Sequence, residues 1–396
     1  AVGIAGRAAP LAFGIGSLVA FAAGYSYIKL ALCFHSDGAS FTYLEKAFPK
    51  SPNIPGIAGW IVIVGYVGTL ALYAFTFGAY GAHLLGDPGS GAARIVLSGS
   101  VLLFFMTVNL LGAKTSGTTE DLIVYTKVML LGIFVVAGSR TVSANHLTPL
   151  FDRGPTSPFV AGALIFVAFE GFQLITNAVM ETRDPDVNVP RGIYGSIAIT
   201  SFIYIGVAVV AIGNMDIQTL VEAEEYALAV AAKPALGAAG AVLVDIAALL
   251  ATSSAINATL FGASRMLAEM AGKNRVPQAF NFKNRTAAPW VAVVVITGLG
   301  LLFTLVSGLD TIATFSSLTF LLVSIAVSVA NYRLRRQTRS SVWLIALGFT
   351  LMTVSVSLLL GHLWTHQPFT LIWVAALFGG IALSETFFFS RVTLDA

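Results

Sequence analysis

Four groups of polar residues interrupt an otherwise oily chain. The first is Lys127, in EDLIVYTKVMLLGIFVVAG (120–138), with Tyr125 and Thr126 before it and an apolar run from Val128 to Ala137 after it. A cation inside a bilayer costs several kcal/mol on insertion scales, so such residues face water or a partner and serve a purpose. The other reading is that Lys127 lies near one membrane edge and snorkels to the headgroups. The second group is Glu170 with Gly171, mid-run in IFVAFEGFQLITNAVMETRDPDVNVPR (165–191) and flanked by Phe169 and Phe172. Helices interrupted at the midplane of transporters expose N–H and C=O groups that hold ligand charges; an ordinary helix with Glu170 neutral or paired is the alternative. In the same stretch, ETRDPDVNVPR reads as a loop closed by Pro190.

The third group lies in DIAALLATSSAINATLFGASRML (245–267), where Thr252, Ser253, Ser254 and Asn257 cluster near mid-membrane. Small hydroxyl residues let helices approach and hydrogen-bond across interfaces, and one or two of them also suit an ion site or an internal water. The fourth, HSDGASFTYLEKAFPKS (35–51), sets Tyr43, Leu44 and Phe48 against Glu45, Lys46 and Lys50. It predicts a short amphipathic helix on the inner membrane surface, with gating as an open role. No Walker loop, paired metal-ligand spacing, nucleophile elbow or heptad pattern occurs. Cys33 is the only cysteine and makes no internal disulfide; His362 and His366 fall in a predicted outer loop. Without a nucleophile–base pair or a metal set, the chain does not read as an enzyme.

These groups must be positioned by membrane helices. Of 396 residues, 57% are hydrophobic and 10% charged, whereas charged residues make up about a quarter of a soluble domain. A helix needs roughly 20 apolar residues to cross a bilayer. Eleven runs qualify, near 10–34, 56–85, 94–112, 120–139, 158–180, 192–213, 237–268, 289–307, 311–331, 342–361 and 370–389. They are long and apolar all round, unlike the short alternating strands of a membrane barrel, and backbone groups in lipid must bond within their own segment. The fold class is an all-α polytopic membrane protein.

Orientation follows from Lys and Arg, which favour cytoplasmic loops. With residues 1–9 outside, sixteen basic residues fall inside, Arg391 at the C-terminal end among them. Five fall outside, and Lys127 is the last of the 22. The outer stretch 214–236 carries Asp216, Glu222, Glu224 and Glu225. The chain opens on AVGIAGRAAP, which reads as the tail of an earlier helix. A first span is therefore expected to be missing, and the runs count as helices 2 to 12.

Several stretches together resemble the amino acid–polyamine–organocation superfamily of transporters, the amino acid permeases. YSYIKLALCFHSDGASFTYLEKAF is similar to the family's second span and inner loop, and NLLGAKTSG to the turn after the fourth. FVAFEGFQLITNAVMETRDPDVNVPR is similar to the sixth span and its following loop, and ALLATSSAINATLFGASRML to the eighth. The resemblance implies one transmembrane domain over 1–396 with a LeuT-like architecture: two inverted five-helix repeats plus two helices. Residues 10–139 would be helices 2–5, 158–331 helices 6–10, and 342–389 helices 11 and 12. It implies an unwound segment at Val167, Ala168, Phe169, Glu170 and Gly171 whose carbonyls receive a substrate ammonium, with Phe169 as an aromatic gate. It also implies that Lys127, like the lysine of a proton-coupled branch, puts its ammonium where sodium-coupled members hold an ion, with Ser253 and Ser254 across the site. Desolvation disfavours the charge of a buried amine, so such a lysine can lose and regain a proton.

The function implied is secondary amino acid transport in the cell membrane, by proton-coupled symport and alternating access. The expected partners are an amino acid and the lipid bilayer, with no nucleic acid. No cofactor is expected beyond the proton gradient. Exchange or polyamine antiport without proton coupling is the alternative, and a ligand-binding membrane sensor that moves nothing is a third. Phe166, Phe169 and Phe172 favour an apolar substrate side chain and Glu170 a cationic one, so the sequence does not decide the cargo.

Overall fold

The structure is a computed structural model that describes residues 1–36, 38–51, 53–112 and 117–386, without the side chains of 117–120, 181 and 224. Part of the turn NLLGAKTSG and the C-terminal stretch with Arg391 lie outside the described residues. The first stretch forms α1 (Val2–Ala5), a 3-10 turn, and α2 (Ala9–Cys33). There follow α3 (Ala39–Ala47), α4 (Asn53–Leu84), α5 (Gly91–Leu110), α6 (Gly117–Gly138) and the short α7 (Ala144–Leu147). Next come α8 (Ser157–Leu164), α9 (Phe172–Thr176), α10 (Pro185–Asn214), α11 (Ile217–Glu222) and α12 (Ala227–Gly272). The chain closes with α13 (Trp290–Val306), α14 (Leu309–Arg333), α15 (Arg335–Thr338), α16 (Val342–His366) and α17 (Pro368–Ser384).

Among the described residues nine helical stretches are long and apolar enough to cross a membrane, and Trp290–Val306 and Pro368–Ser384 are shorter apolar helices. Each of the eleven falls on one predicted run, and no β-strand occurs among the described residues. The protein is an all-α, multi-pass membrane protein.

Helices α4 and α14, with the stretch Ser157–Thr176, form the centre. The apolar windows of α4 and α14 are 67% and 72% buried, against 17% and 11% for α5 and α6. Helix α4 packs on α12, α14, α5 and α13, while α2 packs on α10, α8 and α16. Close approach depends on glycine at one point in particular. A Cβ at Gly78 of α4 would lie 2.3 Å from Ser98 Oγ and 2.4 Å from the Arg94 carbonyl oxygen of α5, and backbone cannot yield as a side-chain tip can.

Four expectations change. Helix α3 is not a surface helix: Phe41, Tyr43 and Leu44 are wholly buried against α4 and α14, because its apolar residues have helices rather than headgroups to cover them. Burial pushes the Tyr43 phenol up. Pro190 does not close a loop but lies inside α10, near its start. The outer loop 214–236 contains α11 and the first turns of α12, which bends at Gly237 (φ 64°). His362 and His366 stack in the last turns of α16, with ring centroids 4.4 Å apart.

Replacing Gly78 with alanine is expected to lower stability by about 1–3 kcal/mol, the usual cost of overpacking. Gly132→Ala on α6, whose Cβ would meet nothing within 4 Å, is expected to be neutral or slightly stabilising. Thermal unfolding of the detergent-solubilised protein distinguishes the two.

Candidate functional site

The run 158–180 is not one helix. Helix α8 ends at Leu164, Ile165–Phe169 tightens into 3-10 geometry, Glu170 and Gly171 form a turn, and α9 restarts at Phe172. The predicted break at Val167, Ala168, Phe169, Glu170 and Gly171 is therefore present, as a wound and tightened segment rather than an extended one, and it begins two residues earlier. Loss of regular i to i−4 bonding frees backbone groups that hydrocarbon cannot satisfy. Neighbouring helices meet them. Ser317 of α14 accepts from the Val167 N–H at 3.0 Å and donates to the Leu164 carbonyl. Tyr204 of α10 donates its hydroxyl to the Ala168 carbonyl at 3.1 Å. The Val167 carbonyl accepts the Glu170 N–H at 3.3 Å.

The side chains divide. Phe169 is buried edge-on to Tyr204, 5.4 Å between centroids. A cleft of about 210 Å³ opens between the break and α10, lined by Ala168, Phe169, Gly171, Ser196, Thr200 and Tyr204 among others. Glu170 is not among the residues lining that cleft and is fully buried. Thr69 of α4 faces it, yet the Thr69 hydroxyl donates to the Gly65 carbonyl at 2.9 Å. Neither Glu170 oxygen has a hydrogen-bond partner among the described residues. An unpaired buried carboxyl is costly, so the position needs a reason. Farther along, Gln173 donates to Ser324 of α14 at 3.3 Å.

Lys127 projects from a peripheral helix but on its inner face. Leu122, Tyr125, Met129, Ile133 and Val136 are exposed, whereas Phe134 is wholly buried, and Lys127 shares the Phe134 side by helical spacing. Its Nζ lies 3.4 Å from Ser254 Oγ of α12. The ammonium therefore turns across to a neighbouring helix. The polar cluster on α12 has separate tasks: Ser254 faces Lys127, Thr252 bonds back to the Ala248 carbonyl at 2.7 Å, and Asn257 accepts from Asn109 of α5 at 3.1 Å. Ser253 is half-buried beside them. No group of three or more metal-binding side chains occurs among the described residues.

The sequence model of the amino acid permease family matches residues 1–390. The chain belongs to the amino acid permease family. It is 32% identical over 387 residues to protein MJ0609 of Methanocaldococcus jannaschii, covering 96% of this chain and 88% of that one. It is 29% identical over 369 residues to the inner membrane transport protein YbaT of Escherichia coli, 92% and 84% of the two chains. The serine/threonine exchanger SteT of Bacillus subtilis is 23% identical over 333 residues, 82% and 74%. This permease is thus a transport protein of the superfamily its motifs resemble, and not an enzyme.

Three structural features escaped the sequence reading: Ser317, Tyr204, and a pair in which Nδ1 of the half-buried His83 of α4 lies 2.8 Å from Oδ2 of the buried Asp245 of α12. The Asp in an apolar run was a signal for the last. Serine and tyrosine are too common in membrane helices to have marked the first two.

Ser317→Ala removes both bonds to the break and is expected to destabilise by about 1–3 kcal/mol, the cost of stranding buried polar groups, with uptake falling too. Tyr204→Phe strands one carbonyl and should lose less. Thermal unfolding and liposome counterflow of the two variants check the order.

Proposed function

We propose that the permease carries amino acids by proton-coupled symport, and that Lys127 is the residue that takes up and gives back the proton. The observation that carries this reading is the Lys127 ammonium within hydrogen-bonding reach of Ser254, on the inner face of a lipid-facing helix. A permanently charged group there would have no variable role, whereas an amine removed from water can exchange its proton. Ser254 and, beside it, Ser253 supply the hydroxyl side of the same site.

The substrate is an amino acid, in keeping with the family and with relatives named for serine/threonine or branched-chain amino acids. Its ammonium end would meet carbonyls of the break and the Glu170 carboxyl, with Val167, Ala168 and Gly171 shaping the break and Phe169 gating it. The five-plus-five inverted repeat with two added helices is the architecture this reading adopts, in the cell membrane with the C-terminus cytoplasmic.

Alternating access would move one bundle against another around that site. At the end of the bundle that holds α3, Lys273, which caps the end of α12, lies 2.9 Å from Glu45 and 3.4 Å from Glu269, and Ser36 donates to Glu269 at 3.0 Å. This knot ties α3 to α12 and would have to open when the site faces the cytoplasm. Exchange without a proton is the second reading, favoured by the name of SteT alone.

The test is uptake into proteoliposomes by Lys127→Ala, with and without a pH gradient. Gradient-driven accumulation is expected to vanish while counterflow persists. Intact gradient-driven uptake in the variant removes the proton assignment.

A further inference from the structure

The far end of the bundle from α3 carries a second arrangement of charges that the midplane site does not use. A cleft of about 260 Å³ opens there between α4, the turn before α5 and the start of α12, lined by Ala79, Pro88–Gly91, Arg94, Glu225 and Tyr226. That volume is just below the roughly 300–1,000 Å³ of sites for drug-sized ligands, which suits a smaller guest. Arg94 and Glu225 are both half-buried. They share the cleft, yet they make no ion pair with each other or with any other described residue.

Both walls are fixed. The Arg94 guanidinium lies over the Phe75 ring at 4.1 Å, and its backbone is drawn onto α4 by the close approach at Gly78. On the other side Tyr226 stacks on His83, with centroids 4.7 Å apart and rings 18° from parallel. His83 is in turn held by Asp245, which is 1% exposed. The chain Asp245–His83–Tyr226 runs from the buried interior of α12 to the lip of the cleft. Arg offers a planar fork that matches a carboxylate, and Glu225 offers an acceptor for an ammonium. A fixed cation and a separate anion facing one small cavity, beside an aromatic face, fit a molecule with opposite charges at its two ends.

We infer that this cleft is a second binding site for the zwitterionic backbone of an α-amino acid, with the carboxylate on Arg94 and the ammonium on Glu225. It holds the cargo at the mouth of the transporter before or after the midplane. Selection here is by backbone, so side chains of different kinds are accepted. The inference rests on an amino acid being what this permease carries.

The experiment uses the full chain in nanodiscs and, for uptake, in proteoliposomes. The probe is whichever of radiolabelled L-alanine, L-leucine, L-serine or L-lysine the wild type takes up fastest. Wild type is expected to bind two equivalents per chain. The amino acid amide, which lacks the carboxylate, and the N-acetyl derivative, which lacks the ammonium, are expected to fail to displace the second equivalent. Arg94→Gln and Glu225→Gln are each expected to weaken that second equivalent about tenfold or more, a change of roughly 1.4 kcal/mol, and to leave the first. If Arg94→Gln loses its fold with its ring contact, Glu225→Gln, which breaks no described contact, carries the test alone. A single equivalent in wild type, or a second one unmoved by Glu225→Gln, overturns the inference while measured uptake leaves the permease reading standing. No binding or uptake of any of the four amino acids removes both.

Discussion

A bilayer interior offers no hydrogen bonds, and everything distinctive in this protein is a response to that constraint. Among the described residues, eleven apolar helical stretches satisfy their backbones internally. Where one of them breaks, at residues 165–171, the freed groups are met by Ser317 of α14 and Tyr204 of α10. The break is therefore not slack. It is held from two sides by helices that belong to different parts of the bundle, so a shift of either one changes which carbonyls are covered. The Glu170 carboxyl, left without a hydrogen-bond partner among the described residues, is the polar capacity that the proposed function assigns to cargo.

The same constraint governs Lys127. A peripheral helix with Tyr125, Met129 and Ile133 toward lipid has one inner face, and an ammonium placed on that face must find oxygen in a neighbouring helix. Ser254 supplies it. In the proposed cycle cargo and proton engage different helices: the break and α10 on one side, α6 and α12 on the other. Because α12 also carries Asp245 toward one end and Glu269, paired with the capping Lys273, toward the other, it touches both ends of the bundle and the proposed proton site. A movement of that one helix relative to α4 and α6 would be felt in all three places.

Much of this was legible in the sequence, for physical reasons. Apolar runs of membrane length have few alternative uses, so all eleven helices fall where their runs lie. The break at Glu170–Gly171 was legible because acid and glycine are both expensive in such a run, and Lys127 because a cation is more so. The helix ends were less so. Residues 227–236 carry a single charge, and Lys233 with Pro234 interrupts their apolar run and reads as part of an outer loop, yet the alanine-rich stretch continues as helix to the bend at Gly237. Helix α3 was predicted as amphipathic, but its burial depends on α4 and α14, which only the fold brings near. The partners that hold the break were hidden for the same reason, since Ser317 is 150 residues from Val167 and resembles any other serine in a membrane helix.

The most direct measurement is of the proton itself. Purified permease is sealed into liposomes that contain a pH-sensitive dye, with no initial gradient, and an inward gradient of a carried amino acid is imposed. The lumen is expected to acidify in step with amino acid uptake, and the Lys127→Ala protein to carry amino acid without acidification. Uptake by the wild-type protein at constant luminal pH would contradict the account.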